Sequence, residues 1–179
     1  MRRRKLIKSI VCVILFLAIV CVVFISQIQL EKERYRPTQE YALTSDIKDR
    51  ICQITSDNPI EVIKASNDLC CDLLSFSAKN DIPNGKANCV GYAQLSSAII
   101  NYAFNLNEIP YKARPVVGQV CCFGINLTAL SQKILPKKHR SFFKDHDFVE
   151  VDLGNKIIYT DSSLQDLIGW KVIEIKESA

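Results

Sequence analysis

An α+β domain behind an N-terminal transmembrane helix is the fold class this chain predicts, and three observations carry the expectation. A basic N-terminus is followed by a long uncharged apolar run. Stretches of helical periodicity come next, opened by good caps. The C-terminal half then turns to β-rich segments joined by tight turns, so helices precede a series of antiparallel strands.

The chain opens Met1-Arg2-Arg3-Arg4-Lys5-Leu6-Ile7-Lys8, and from Ile10 to Ile25 no charge occurs. Only Cys12, Ala18 and Cys21 interrupt the large aliphatics there. A bilayer span takes about 20 mostly apolar residues, which Leu6 to Leu30 supply. The basic flank should stay cytoplasmic, placing everything after residue 30 on the far side, periplasmic or extracellular. Small residues are missing where a signal peptide would be cut, which favours an uncleaved anchor. Five of the 23 Lys+Arg precede that run, leaving 18 against 19 Asp+Glu. The basic balance is therefore a topology signal and makes no case for nucleic acid. The expected plan is an anchor over 1–30, a charged stalk over 31–43 and one domain over 44–179.

Within that domain, Ser45 to Asp57 carries Ile47, Ile51 and Ile54 at helical spacing. Asn58-Pro59-Ile60-Glu61 offers a cap, a proline at the first helical position and an early acid, a strong start for a helix running to about Asn80. The breaker-rich loop Lys79 to Ala87 leads to Asn88, a second cap, and a helix from Cys89 to about Phe104. Strand-like stretches follow over Lys112–Val117 and Gln119–Asn126, with a helical turn at Ser131–Leu135 and a basic loop at Pro136–Arg140. His146–Leu153 and Lys156–Thr160 flank Gly154-Asn155 as a hairpin, Ser162–Ile168 is a short helix, and Lys171–Lys176 is a closing strand.

Cys89 is the residue that points to chemistry. In the first turn of a helix it faces unpaired N–H groups and the positive end of the dipole, which stabilise thiolate over thiol. Such a nucleophile needs a base, and the chain holds only two histidines. His139 sits between Lys138 and Arg140, where positive charge disfavours imidazolium. His146 opens a strand, a rigid mount. Pairing around Gly154-Asn155 puts Thr160 or Asp161 opposite residues 147 to 149, within side-chain reach of His146. The candidate catalytic set is Cys89, His146 and Asp161.

These residues, in this order, resemble the transglutaminase-like superfamily of papain-type cysteine enzymes. The matching pieces are Asn88-Cys89-Val90-Gly91-Tyr92-Ala93, the run Ile109-Pro110-Tyr111-Lys112-Ala113-Arg114, His146-Asp147-Phe148-Val149-Glu150-Val151 and Tyr159-Thr160-Asp161. They lie within residues 85 to 165. Phe148 stands where the family usually carries tryptophan, and Ser162-Ser163 where a proline is common. The resemblance implies a nucleophile helix packed on an antiparallel sheet. It also implies acyl transfer from a peptide or amide through a thioester on Cys89, with water or an amine as acceptor.

A polypeptide or peptide-like substrate near the cell envelope is the expected partner, with no cofactor. The alternative is a non-catalytic envelope module using the same fold to bind peptides or as a scaffold. Redox chemistry is disfavoured, because no Cys-x-x-Cys occurs. The pairs Cys70-Cys71 and Cys121-Cys122 lack zinc-ligand spacing, so these thiols are expected mostly in the core, with at most two disulfides.

Overall fold

A computed structural model describes residues 15–16, 19–20, 22–23, 26–37, 41–134, 145–169, 171 and 173–177. One antiparallel sheet organises them. Its strands are β1 (Ile28–Tyr35), β4 (Lys112–Cys122), β6 (His146–Asp152), β7 (Lys156–Thr160) and β8 (Ile173–Glu177), in the order β1-β4-β6-β7-β8, with β5 (Ile125–Asn126) folded back on β4. A separate parallel pair, β2 (Ser75–Phe76) and β3 (Lys86–Ala87), frames the loop before Cys89.

Helices α1 (Ser45–Ile51), α2 (Pro59–Leu73) and α3 (Cys89–Leu106) pack together, and α3 lies against β4 and β6. Each starts where its cap dictates. Thr44 accepts from Ile47 N, Asn58 from Ile60 N, and Asn88 from Val90 N and Gly91 N, satisfying donors that a first turn leaves unpaired. Val62, Ile63, Leu95, Ile99 and Ile100 on the helices meet Ala113, Val149, Val151 and Ile158 on the sheet in the main core. Fully burying such a side chain contributes about 1.5–3 kcal/mol, which fixes α3 on the strands that carry the site. Two further helices are α4 (Leu127–Ile134) and α5 (Ser162–Ile168).

The opposite face of the sheet holds a second, smaller core of Leu30, Val116, Phe148 and Tyr159. Strand alternation explains the division: Val149 and Val151 face the helices, while Phe148, next to Val149, faces the other way. Phe148 meets Tyr159 edge to face, with ring centroids 5.5 Å apart. Side chains from β8 also reach β1, closing the sheet towards a curl. Leu30 N donates to Glu174 Oε2 at 2.7 Å, and Lys176 Nζ donates to Leu30 O at 2.8 Å.

The N-terminal expectations need correction. No helix among the described residues is long and apolar enough to cross a membrane. The expected single-pass anchor over 6–30, and the extracytoplasmic placement that depended on it, are not supported. Residues 6–14, 17–18, 21 and 24–25 of it lie outside the described residues, and its last three, Ile28 to Leu30, begin β1. The expected stalk is likewise wrong for residues 31–35, which continue that strand. β1 pairs with β4 from Ile28↔Cys122 to Tyr35↔Val116, with an irregularity between Lys32 and Arg34. An isolated membrane helix has no place for that ladder. The domain therefore takes in residues well before 44, and a strand precedes its helices.

Smaller differences are local. The two expected strands around Gly118 are one, because Gly118 continues β4 rather than breaking it. A Cβ there would sit 2.0 Å from Glu31 O, so the glycine is what lets β1 approach. The second long helix stops at Leu73, and the helical turn expected at 131–135 is the longer α4. His139 and its basic loop lie outside the described residues.

Candidate functional site

Three elements bring the site together: the start of α3, the start of β6 and the turn from β7 into α5. Asn88 is held extended, and its side chain takes the Val90 and Gly91 N–H groups at 3.0 and 3.4 Å. Its own N–H donates to Asn80 Oδ1 at 2.8 Å. These bonds pin the turn that presents Cys89, whose side chain is half-buried. Nothing among the described residues accepts from the Cys89 N–H, which leaves it free to donate to a developing oxyanion.

Asp161 serves two partners through different oxygens. Its Oδ1 accepts from Ser163 N at 2.9 Å, Ser163 Oγ at 2.7 Å and Leu164 N at 3.0 Å, capping α5. Its Oδ2 bonds His146 Nε2. The pairing Val149↔Thr160 on the β6–β7 hairpin sets this up, because Asp161 follows Thr160 directly. The carboxylate is buried, yet His146 and the capping donors hold its pKa below the ordinary aspartate value against the opposing effect of burial.

His146 is only 17 % exposed. Burial works against a charged ring there. The charge and hydrogen bond of Asp161, with a smaller contribution from Cys89, outweigh it and raise the imidazole from 6.5 to about 10. The ring is therefore protonated at neutral pH. With Nε2 engaged by Asp161, Nδ1 is the nitrogen left to exchange a proton with sulfur. Phe148 packs beside the ring, centroids 6.4 Å apart.

Behind the turn lies a buried polar cluster. Asn67 on α2 donates to Thr160 Oγ1 and accepts from Ser96 Oγ at 3.0 Å and Ser162 Oγ at 2.9 Å. It ties α2, α3 and the β7–α5 turn into one frame, so the Asp161 carboxylate is rigidly placed. The serines after Asp161 thus have an internal role: Ser162 joins the cluster and Ser163 binds Asp161.

The structure brings Cys89, His146 and Asp161 into one cluster, and adds two residues that sequence reasoning passed over. Asp147, 1 % exposed, places Oδ2 3.9 Å from Cys89 Sγ. Arg36, just after β1, clamps Asp147 with both arms of its guanidinium: Nε reaches Oδ1, and Nη2 reaches Oδ2 at 2.8 Å. An aspartate buried next to a strand histidine was visible as a pattern. Its partner, 111 positions earlier in an apparent stalk, was not.

Two open cavities, of about 370 and 400 Å³, lie elsewhere. One is lined by Tyr111, Arg114, Glu150 and Asp152, the other by Tyr41, Lys48, Gln94 and Tyr102. The six cysteines of residues 52 to 122 are all free thiols. Among the described residues no group of three or more His, Cys, Asp or Glu is placed to hold a metal. Comparison with protein-family models, curated proteins and solved structures finds no match.

Proposed function

We propose that this chain is a cysteine enzyme of transglutaminase-like type that transfers the acyl group of a peptide or amide through a thioester on Cys89. The observation that carries the reading is the bond of His146 Nε2 to the buried Asp161 carboxylate beside the helix start that presents the Cys89 thiol. Cys89 supplies the nucleophile, with His146 taking its proton so that an ion pair stands ready. The thiolate attacks the carbonyl carbon, and the Cys89 N–H donates to the oxyanion. Imidazolium Nδ1–H then protonates the departing amine as the C–N bond breaks, leaving the thioester. Water or a primary amine, deprotonated by the now neutral His146, releases the acyl group as an acid or a new amide. Asp161 keeps the ring in one orientation and tautomer throughout.

A polypeptide substrate suits an open, half-buried thiol better than a small molecule that needs an enclosing cavity. Trapping with a peptide-based thiol electrophile, followed by mapping of the adduct, tests the reading. An adduct on Cys89 that requires His146 is expected. Labelling that ignores His146→Ala, or that falls on another cysteine, would reject it. Adding a primary amine to a peptide-amide assay then separates transamidation from hydrolysis.

A further inference from the structure

Asp147 is an awkward neighbour for a nucleophilic thiol. Its carboxylate lies 3.9 Å from Cys89 Sγ and is almost wholly buried, so solvent does little to screen it. A negative charge there opposes formation of a thiolate and competes with His146 for the thiol proton. Unless something offsets it, the carboxylate should silence the nucleophile.

Arg36 is that offset. Its guanidinium meets Asp147 through Nε and Nη2, the bidentate arrangement in which arginine pairs best with carboxylate. The side chain is fixed at its root as well, since Arg36 N donates to Pro115 O at 3.1 Å at the end of the β1–β4 ladder. We propose that Arg36 is a positioning residue of the Cys89 site: held by β1, it neutralises Asp147 so that charge can separate between Cys89 and His146. The sheet's first strand is thereby part of the reaction's electrostatics. This inference rests on the nucleophilic role assigned to Cys89.

Among the described residues, the charged groups around the thiol come from three elements. From β6 come His146 and Asp147, from the cap of α5 comes Asp161 behind the ring, and from the end of β1 comes Arg36. Asp145 also feels the Arg36 charge and supports it in the cationic form, though Asp147 is its main partner. Without Arg36, carboxylates outnumber cations around the sulfur among the described residues. Without Asp147, Arg36 is left unpaired beside it and should favour the thiolate directly.

The two removals therefore have opposite signs, which a purely structural salt bridge does not predict. The experiment measures the pH dependence of Cys89 alkylation by iodoacetamide in the full chain. The variants are Arg36→Gln, Asp147→Asn, the double Arg36→Gln/Asp147→Asn, and His146→Ala as control. A like charge next to a titrating group moves it by about one to three pH units, each worth roughly tenfold in rate at fixed pH below the midpoint. Arg36→Gln should slow neutral-pH labelling at least about tenfold and move the profile to higher pH. Asp147→Asn should move it to lower pH, and the double variant should recover most of the lost rate. Equal slowing by both single variants, or a double variant no faster than Arg36→Gln alone, would overturn the proposal. Should Arg36→Gln fold poorly, the double variant against Asp147→Asn still isolates Arg36, and equal profiles for those two would also overturn it. Labelling of the native protein that His146→Ala leaves untouched would instead reject the nucleophile reading beneath it.

Discussion

Glu174 on the last strand accepts the backbone N–H of Leu30 on the first, at 2.7 Å and across 144 positions of sequence. Leu30 itself is fully buried. Removing the carboxylate leaves that N–H without its acceptor, which costs about 1–3 kcal/mol. Glu174→Ala should therefore lower Tm by several degrees, whereas Glu174→Gln, which keeps an acceptor oxygen, should lower it less. Differential scanning calorimetry of both variants checks this, and equal losses would mean the hydrogen bond is not what matters.

Cysteine labelling should be ordered by burial and charge. Burial is the main force pushing Cys70, Cys71, Cys121 and Cys122 above the ordinary thiol value, with Cys71 reaching about 12. Cys89 starts a helix, where the unpaired N–H groups of the first turn favour a thiolate, in the same cluster as a protonated imidazole. Time-resolved alkylation of the native protein, read by peptide mass mapping, should therefore modify Cys89 well before those four. Labelling of Cys71 at a comparable rate would contradict the arrangement.

Substitutions at Asp161 should separate its two duties. Asp161→Asn keeps one oxygen for the cap of α5 but gives up the charge that steadies His146. Its stability should fall by less than that of Asp161→Ala, which loses the cap as well, at a further cost of about 1 kcal/mol. Acyl transfer should drop in both and disappear in Cys89→Ala and His146→Ala. Tm and turnover measured on the same preparations give the comparison, and Asp161→Asn with unchanged turnover would remove Asp161 from the mechanism.

Stability should also depend on pH in a defined window. The folded-state imidazole of His146 titrates near about 10 against an ordinary 6.5, so the native state holds a proton that the unfolded chain releases between them. The stabilisation is complete below 6.5 and is lost as pH rises through about 10. Asp161 is shifted downward, so its contribution is present above the ordinary 3.8 and is lost as acid protonates the folded carboxylate. The Tm difference between the native protein and His146→Gln should shrink steadily from neutral to alkaline pH. A difference that widens there would mean the ring is neutral in the fold.

What could be seen in the sequence was local. Asn58-Pro59 and Asn88 mark helix starts that the structure keeps, and Gly154-Asn155 fixes a hairpin whose register delivers Asp161 to His146. β1 was hidden because only Leu30 of its eight residues is buried, while Glu31, Glu33 and Arg34 point to solvent like a linker. What holds it is the ladder with β4 and distant ion pairs such as Lys32 with Glu150 at 2.5 Å, neither of which leaves a periodic trace. Arg36 was lost with it. Gly118, which punctuates the sequence like a strand end, is instead a place where two backbones nearly touch.

The first strand changes where the molecule can be cut. A fragment begun at Thr44, the apparent edge of the folded part, would keep Cys89, His146 and Asp161 and still be a damaged protein. It would expose the long edge of β4, which is open to pairing with another chain, and uncover Val116 and Phe148, which Leu30 shields. Such a fragment should aggregate, and any of it that stayed dispersed would carry the Asp147 charge uncompensated. Recombinant material for kinetics should begin upstream of Ile28, and inactivity of anything shorter would say nothing against the chemistry.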